Sequence, residues 1–164
     1  MQNNIIIRQA TPADIDTCLA LETVCFPASE AASRESISIR IEQFPEGFYV
    51  AENQGQIVGQ INSGATSKDD ISDEAFKALE GHDAAGSNIV VFSLAVLPDQ
   101  QGNGLGAQLM RHFIKQSRQQ GRQQVLLLCK DVLVPFYSRL GFDDRGLSAC
   151  THGGAQWREM GQVL

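Results

Sequence analysis

The chain has 164 residues, 43% of them hydrophobic and 20% charged, which is typical of a folded globular protein and not of a disordered one. That length suits one domain with a packed core, so residues 1–164 are predicted to form a single unit. The formal net charge of −6 argues against a nucleic-acid binder, which relies on clustered Lys and Arg. It slightly favours a cationic partner, although such a charge also serves simply to keep proteins in solution.

The first part of the chain has the pattern of a strand followed by a helix. Residues 5–10 are apolar enough for a β-strand, and Thr11-Pro12-Ala13-Asp14 offers an N-cap hydroxyl, a proline at the first helical position and an acid in the first turn. The helix should end before Phe26-Pro27, because proline favours an extended residue before it, and residues 26–33 then form a loop. The side chains expected to face inward are Ile15, Cys18, Leu19 and Val24.

A second helix and a hairpin are predicted next. Apolar residues recur at helical spacing within residues 33–44. Residues 47–51 and 57–61 are strand-like and flank a polar turn, in which Gly55 is expected to supply the positive φ of a tight β-hairpin.

The second half of the chain has the pattern of a central strand followed by a long helix. Residues 68–80 are polar and acidic and should form an exposed connection with one short helix. Residues 88–96 are almost continuously apolar, which is typical of a strand buried on both faces, and residues 104–120 form an amphipathic helix. Further predicted elements are a buried strand at 125–128, a short helix at 131–140 and a strand pair near 146–151 and 155–161.

The cysteine spacing and the N-terminus indicate a cytoplasmic protein. Cys18, Cys25, Cys129 and Cys150 show no C-x-x-C spacing, so we expect reduced thiols and no metal site. Residues 1–4 lack the basic segment of a signal sequence, and no apolar run approaches the roughly 20 residues that span a bilayer. No membrane partner is expected.

The junction between the central strand and the long helix carries the sequence Gln101-Gly102-Asn103-Gly104-Leu105-Gly106. Glycines let successive backbone amides converge on an anion, and the helix N-terminus adds a partial positive charge, so the segment could cradle a pyrophosphate. A tight turn that merely needs glycine is the plain alternative. A dinucleotide-binding fold is disfavoured, because the spacing is G-x-G-x-G and the flanking βαβ units are missing.

These residues resemble the signature of the GNAT superfamily of acetyltransferases, in which Gln or Arg is followed at fixed spacing by Gly and then by Gly or Ala; here these are Gln101, Gly104 and Gly106. Residues 129–137, with Leu133-Val134-Pro135-Phe136-Tyr137, resemble the serotonin (arylalkylamine) N-acetyltransferase branch. The resemblance implies an α/β (α+β) fold: a mixed, mostly antiparallel sheet with helices on both faces, splayed between its fourth and fifth strands to admit acetyl-CoA.

The resemblance also implies roles for individual residues. The backbone of Leu94-Ala95-Val96 should pair with the pantetheine arm, and Tyr137 should face the coenzyme sulfur. The remaining implied coenzyme contacts are Gln101, the amides of Gly102, Asn103, Gly104, Leu105 and Gly106, and the side chains of Asp131 and Phe136.

Chemistry supports the role of Tyr137 independently. An amine that attacks a thioester expels a thiolate, and a phenol with a pKa of about 10 is protonated at neutral pH and able to donate to it. The alternative is a tyrosine that only packs beside Phe136.

The sequence departs from the arylalkylamine branch where that branch has a His-x-His pair, since Val90 and Phe92 occupy those positions. A free amine at neutral pH costs about 4 kcal/mol to present, so another base or solvent must help. The candidates for this base are Glu22, Glu30 and Ser93, the last acting through a water. The alternative for Glu22 is an exposed helical carboxylate with no catalytic role. His82, His112 and His152 are expected to have surface or structural roles.

An apolar slot for the acceptor is expected from Phe26, Pro27 and Phe92, beside the acidic 68–80 connection. Lys130 stands where the branch usually has an acid, so substrate charge is not implied there. A small aryl- or alkylamine is the leading acceptor. A protein N-terminus or lysine, or a non-catalytic acyl-CoA sensor, are the alternatives, and a monomer or weak homodimer is expected.

Overall fold

A seven-stranded mixed sheet forms the centre of the computed structural model, which describes residues 4–164. The spatial order is β1-β2-β3-β4-β5-β7-β6, and every neighbouring pair is antiparallel except β4 and β5. The strands are β1 (Ile5–Gln9), β2 (Tyr49–Asn53), β3 (Gln56–Thr66), β4 (Asn88–Val96), β5 (Gln124–Cys129), β6 (Asp143–Leu147) and β7 (Arg158–Val163). The expectation of no signal sequence rests partly on residues 1–3, which lie outside the described range.

Helices cover both faces of this sheet, as predicted. They are α1 (Ile15–Cys25), α2 (Arg34–Gln43), α3 (Leu105–Gln119) and α4 (Val134–Arg139). Neighbouring residues of a strand face opposite sides, and β3 shows both: the Gln60 amide donates to the Cys18 carbonyl of α1, whereas a Cβ on Gly59 would lie 2.9 Å from Leu109 of α3. None of the helices in residues 4–164 has the length and hydropathy needed to cross a bilayer.

The parallel strands β4 and β5 separate partway along their length. Their register runs from Asn88 opposite Gln124 to Val91 opposite Leu127, and stops there although β4 continues to Val96. On its other edge, β4 pairs Ser93 with Asn62 and then Val91 with Ser63, so a β-bulge leaves Phe92 without a residue opposite it. The predicted splay between the fourth and fifth strands is therefore present, and the bulge bends β4 at the same point.

Two local predictions were wrong. Val24 is 57% exposed, and Leu21 and Glu22 face inward in its place, because the buried stripe of α1 follows Ile15 and Cys18 at helical spacing. The last strand pair is displaced: β6 ends at Leu147 and β7 begins at Arg158, with a loop between them that contains one short 3-10 turn, His152–Gly154. The second helix begins close to the predicted residue 33: Ser33 is its N-cap, and the Ser33 hydroxyl accepts from the Ser36 amide.

An ion pair fixes the start of α1 and leads to a prediction about stability. Asp14 accepts two hydrogen bonds from the Arg8 guanidinium, at 2.8 and 3.0 Å, and one from the Thr11 amide at 2.8 Å. The hydrogen bonds from Arg8 hold the pKa of Asp14 below its usual range. Asp14→Asn should therefore lower the free energy of unfolding by about 1 kcal/mol at pH 7.

The difference in the free energy of unfolding between the wild type and Asp14→Asn should shrink at low pH. A carboxyl whose folded-state pKa is depressed stabilises the fold above its unfolded pKa, and the stabilisation is lost as the pH falls through the folded value. Urea unfolding at pH 7 and at pH 3 measures this. Asp16→Asn is the matched control, because the Asp16 side chain is 82% exposed and should contribute within about 0.5 kcal/mol. A loss for Asp14→Asn that is equal at both pH values would contradict the prediction.

Candidate active site

The glycine-rich junction before α3 has the geometry of an anion cradle. Gly102 and Gly104 have φ values of +84° and +80°, in the left-handed region that glycine adopts without strain, and Gly104 caps α3. Within residues 4–164, the amides of residues 102–104 donate to no protein acceptor, and those of the first helical turn have no intrahelical partner. The side-chain amide of Gln101 closes the loop by donating through Nε2 to the Val96 carbonyl at 3.0 Å. These free amides at a helix N-terminus fit a pyrophosphate.

Only some of these glycines are required by the backbone, and this predicts different effects of substitution. A Cβ on Gly106 would lie 3.5 Å from the Phe136 ring, an ordinary contact, so Gly106→Ala should leave CoA affinity within about twofold. Gly104→Ala places a side chain in the left-handed region, which costs about 1–2 kcal/mol, and should weaken CoA binding about tenfold or lower stability by that amount. Calorimetric titration with CoA and urea unfolding of both variants test this. Equal behaviour of the two variants would contradict it.

A cavity of about 280 Å³ opens where β4 and β5 separate. It is lined by most of the residues predicted for chemistry and for the acceptor, although they come from distant parts of the chain: Tyr137, Ser93, Leu94, Phe26, Pro27 and Phe92. Other wall residues are Glu22, Glu30, Lys77, Lys130, His152 and Trp157. A second cavity of about 330 Å³ adjoins the first and shares Glu22, Glu30, Lys77, Phe92 and His152 with it.

The remaining predicted coenzyme residues lie outside these walls. Ala95 and Val96 continue β4 beyond the point of splay, and Phe136 packs near Gly106, between the glycine-rich junction and Tyr137. Asp131 lies on the surface, where the Arg158 guanidinium donates to it at 2.8 Å.

Tyr137 is held in an aromatic cluster at the cavity. Its ring makes edge contacts with Phe136 and Phe142, with centroids 5.0 and 5.8 Å apart, and the residue is 8% exposed. Burial raises the pKa of its phenol, and a negative charge on Cys129 would act in the same direction. The hydroxyl donates to no acceptor within residues 4–164. Tyr137 is therefore a protonated donor on the wall of a cavity, which is the state that donation to a leaving group needs.

Glu22 is a buried carboxylate, 3% exposed, and not the exposed helical acid that the sequence allowed. It accepts hydrogen bonds from the Ser93 hydroxyl at 2.7 Å, the Gln60 amide at 3.0 Å and the Ala32 backbone amide at 3.0 Å. Ser93 thus contacts a carboxylate directly. Glu22 and Ser93 line the same cavity as Tyr137.

The remaining candidate base, Glu30, and the three histidines have other partners. Glu30 forms an ion pair with Lys130 at 2.8 Å. His152 contacts Glu74 through Nδ1 at 2.8 Å and the Glu30 carbonyl through Nε2 at 3.0 Å, so it joins the cavity wall where a surface or structural role was expected. His82 and His112 pack on Phe44 and Tyr49, away from the cavity.

Two functional candidates were missed from the sequence, and one of them had a signal. Arg40 lies on the inward stripe of α2 between Ile37 and Ile41, where an apolar residue is expected, and it is buried. Glu22 shares this signal on α1. Lys77 belongs to the polar 68–80 connection, where one more lysine carried no signal.

Sequence comparison identifies the family. A sequence model of the Acetyltransferase (GNAT) family matches residues 15–142, which is most of the chain. The chain therefore belongs to the GNAT family of acetyltransferases.

Two curated relatives from Bacillus subtilis (strain 168) are similar to it. The protein named Probable hydrolase YhcX is 29% identical over an alignment of 117 residues, and the match covers 66% of this chain and 22% of YhcX. Uncharacterized N-acetyltransferase YkwB is 26% identical over an alignment of 117 residues, and the match covers 65% of this chain and 52% of YkwB. The chain thus spans about a fifth to a half of the length of these relatives.

Solved structures confirm the predicted fold. The loading GNATL domain of CurA from Lyngbya majuscula superimposes with a TM-score of 0.88 at 20% identity, over 98% of each chain. The GphF GNAT-like decarboxylase in complex with isobutyryl-CoA superimposes with a TM-score of 0.81 at 20% identity, over 96% of this chain and 98% of that one. The ribosomal-protein-S18-alanine N-acetyltransferase from Escherichia coli superimposes with a TM-score of 0.72 at 16% identity, over 97% of this chain and 93% of that one. The resemblance to the arylalkylamine branch stays a prediction.

Proposed function

We propose that this chain transfers the acetyl group of acetyl-CoA to the primary amine of a small molecule, by direct attack of the amine on the thioester. The observation that carries the proposal is the cavity at the β4–β5 splay, whose walls contain a protonated phenol, Tyr137, and a hydrogen-bonded pair of a carboxylate and a hydroxyl, Glu22 and Ser93. Attack of an amine on a thioester needs one group to accept a proton and another to donate one.

Coenzyme binding is assigned to the glycine-rich junction and the free edge of β4. The amides of residues 102–106 hold the pyrophosphate, aided by Gln101, and the backbone of Leu94-Ala95-Val96 pairs with the pantetheine arm beyond the point where β5 diverges. Phe136 and Asp131 complete the contacts near α4. Acetyl-CoA supplies the acetyl group as an activated thioester.

The side chains of the cavity move the protons. Ser93 passes a proton from the bound ammonium to Glu22, which frees the nitrogen lone pair. The nitrogen bonds to the acetyl carbon as the carbon–sulfur bond breaks, and Tyr137 donates its proton to the departing thiolate. The second proton that the nitrogen gives up as the amide forms restores the phenol of Tyr137, and the proton held by Glu22 passes to solvent. Glu22 and Ser93 thereby take the place of the histidine pair that Val90 and Phe92 replace.

A small acceptor is favoured over a peptide by contacts across the cavity mouth. Lys130 at the end of β5 pairs with Glu30 of the loop after α1, and His152 of the final loop contacts Glu74. These contacts narrow the groove that a peptide acceptor needs. Phe26, Pro27 and Phe92 supply an apolar wall for the aryl or alkyl part of the amine, as in the arylalkylamine branch.

A survey of acceptors tests the proposal. Free CoA thiol is measured as it forms from acetyl-CoA in the presence of small primary amines or of short peptides with free N-termini and lysines. Acetylation of small amines with kcat/KM at least about tenfold above that of the peptides is expected. Activity on peptides alone would overturn the acceptor assignment, and CoA binding with no acetylation of any amine would favour an acyl-CoA sensor.

A further inference from the structure

A guanidinium is buried beside the cavities with no carboxylate paired to it. Arg40 is 3% exposed, lines the second cavity and forms no ion pair with any residue from 4 to 164. Its Nε donates to the Lys77 carbonyl at 2.9 Å and its Nη1 to the Asn62 side chain at 3.0 Å, and the group stacks on the Phe92 ring at 4.7 Å. Five donors are present on an arginine, so further donors remain for a ligand.

A second cation faces the same space. Lys77 lines both cavities, and within the described residues its ammonium also has no ion pair; its neighbour is the Trp157 ring, at 5.7 Å from the centroid. Burial lowers the pKa of Lys77, and it lowers the pKa of Arg40 to about 10, so the guanidinium is charged at neutral pH. Arg40 is buried and Lys77 is half-buried, and the charge of Arg40 opposes a charge on Lys77, so an anion bound beside them lowers the cost of holding both.

No acid among the described residues accepts a hydrogen bond from either cation. Glu22 accepts from Ser93, Gln60 and Ala32, and its charge acts on Arg40 and Lys77 only through space. Glu30 is paired with Lys130, and Glu74 with His152. The two cavities together therefore have an anionic side at Glu22, beside Ser93, and a cationic side at Arg40 and Lys77. Ser93 lines the first cavity, Arg40 lines the second, and Glu22 and Lys77 line both.

We propose that Arg40 and Lys77 bind the carboxylate of the acceptor, so that the substrate class is an amino acid or a similar amine that carries a carboxylate. This inference rests on the proposed function. The ammonium of such a zwitterion lies toward Glu22 and Ser93, and its carboxylate takes the remaining guanidinium donors, a geometry in which arginine is the preferred partner. Phe92, which borders both cavities, packs against the carbon skeleton between the two charges.

Matched pairs of acceptors test the inference. Phenylalanine is compared with 2-phenylethylamine, and leucine with 3-methylbutylamine, while phenylalaninamide retains the size without the charge. With acetyl-CoA, kcat/KM is expected to be at least about tenfold higher for the carboxylated member of at least one pair. Equal values across every pair would overturn the inference and leave the proposed function intact.

Variants connect this preference to the two cations. Lys77→Met keeps the length of the side chain and should lower kcat/KM about tenfold for the carboxylated acceptor only, with the CoA dissociation constant unchanged. Lys68→Met, at an exposed lysine of the same connection, is the matched control and should change neither value. Arg40→Lys keeps a charge at the buried position and should lose the preference partly. A loss shared equally by both members of a pair would show a general structural effect and overturn the assignment.

Two further measurements separate the possible failures. Calorimetric titration of the CoA-bound protein with phenylalanine, 2-phenylethylamine and propionate reports carboxylate binding without turnover, so it tests the subsite even if no amine is acetylated. Binding of phenylalanine that weakens about tenfold in Lys77→Met supports the inference. If malonyl-CoA is consumed in preference to acetyl-CoA and this preference alone is lost in Lys77→Met, the carboxylate belongs to the acyl donor and the inference is overturned.

Discussion

The substitution Tyr137→Phe is expected to lower kcat about a hundredfold and to leave the CoA dissociation constant within about twofold of the wild-type value. The hydroxyl is the only group that Tyr137→Phe removes, and the ring keeps its edge contacts with Phe136 and Phe142. The departing thiolate then has no phenol to protonate it. Steady-state kinetics with a saturating amine and calorimetric titration with CoA measure the two quantities.

The matched control is Tyr49→Phe. That hydroxyl is also buried, but it donates to the Glu46 carbonyl at 2.7 Å in another part of the core, so its loss should affect stability and not kcat. An unchanged kcat for Tyr137→Phe would show that the thiolate leaves without this acid.

The pH profile gives an independent check on Tyr137. Burial raises the pKa of its phenol above the usual value of about 10, so the donor stays protonated throughout the neutral and moderately alkaline range. No fall of kcat between pH 7 and pH 9.5 should depend on Tyr137. A fall in the wild type that Tyr137→Phe abolishes would contradict the raised pKa.

Much of the fold was predictable because strand and helix patterns are local. The buried strand at 88–96 and the amphipathic helix after Gly104 follow from apolar periodicity alone, and both are present. The register stop after Val91 and the bulge at Phe92 depend on pairing across the sheet, which no local pattern encodes. The splay came from the family resemblance. The error at Val24 has a local cause: α1 buries a carboxylate, and a polar residue on the inward stripe obscures the periodicity.

The site was predictable in part, and for the same reason. Backbone-based features such as Gly102 and Gly104 are visible in the sequence, because positive φ restricts the residue type. The pairing of Glu22 with Ser93 joins residues 71 positions apart, and the cations Arg40 and Lys77 meet across α2 and the 68–80 connection. Such contacts are tertiary. A charged residue at an inward helical position, as at Glu22 and Arg40, is the sequence signal that most directly indicated them.

The substitution Glu22→Gln is expected to lower kcat/KM about a hundredfold at pH 7.5 and progressively less as the pH rises. The wild-type enzyme, which has the Glu22 carboxylate as its base, can bind the abundant ammonium form of the acceptor and deprotonate it in the site. Glu22→Gln must use acceptor that is already neutral, and that fraction grows about tenfold per pH unit up to an amine pKa of about 10.4. The kcat/KM of the variant should therefore rise steeply with pH and approach the wild-type value.

The substitution should be tolerated by the fold. An amide at position 22 still accepts from the Ala32 backbone through its oxygen. Its NH2 group replaces the carboxylate oxygen that faces Ser93 and Gln60; the hydroxyl of Ser93 can rotate to accept, and the Gln60 oxygen, which has no partner within residues 4–164, can accept after an amide rotation. Thermal unfolding of Glu22→Gln verifies this, with Glu35→Gln on the exposed start of α2 as the control. Parallel pH profiles for wild type and Glu22→Gln, offset by a constant factor, would show that Glu22 positions Ser93 and accepts no proton.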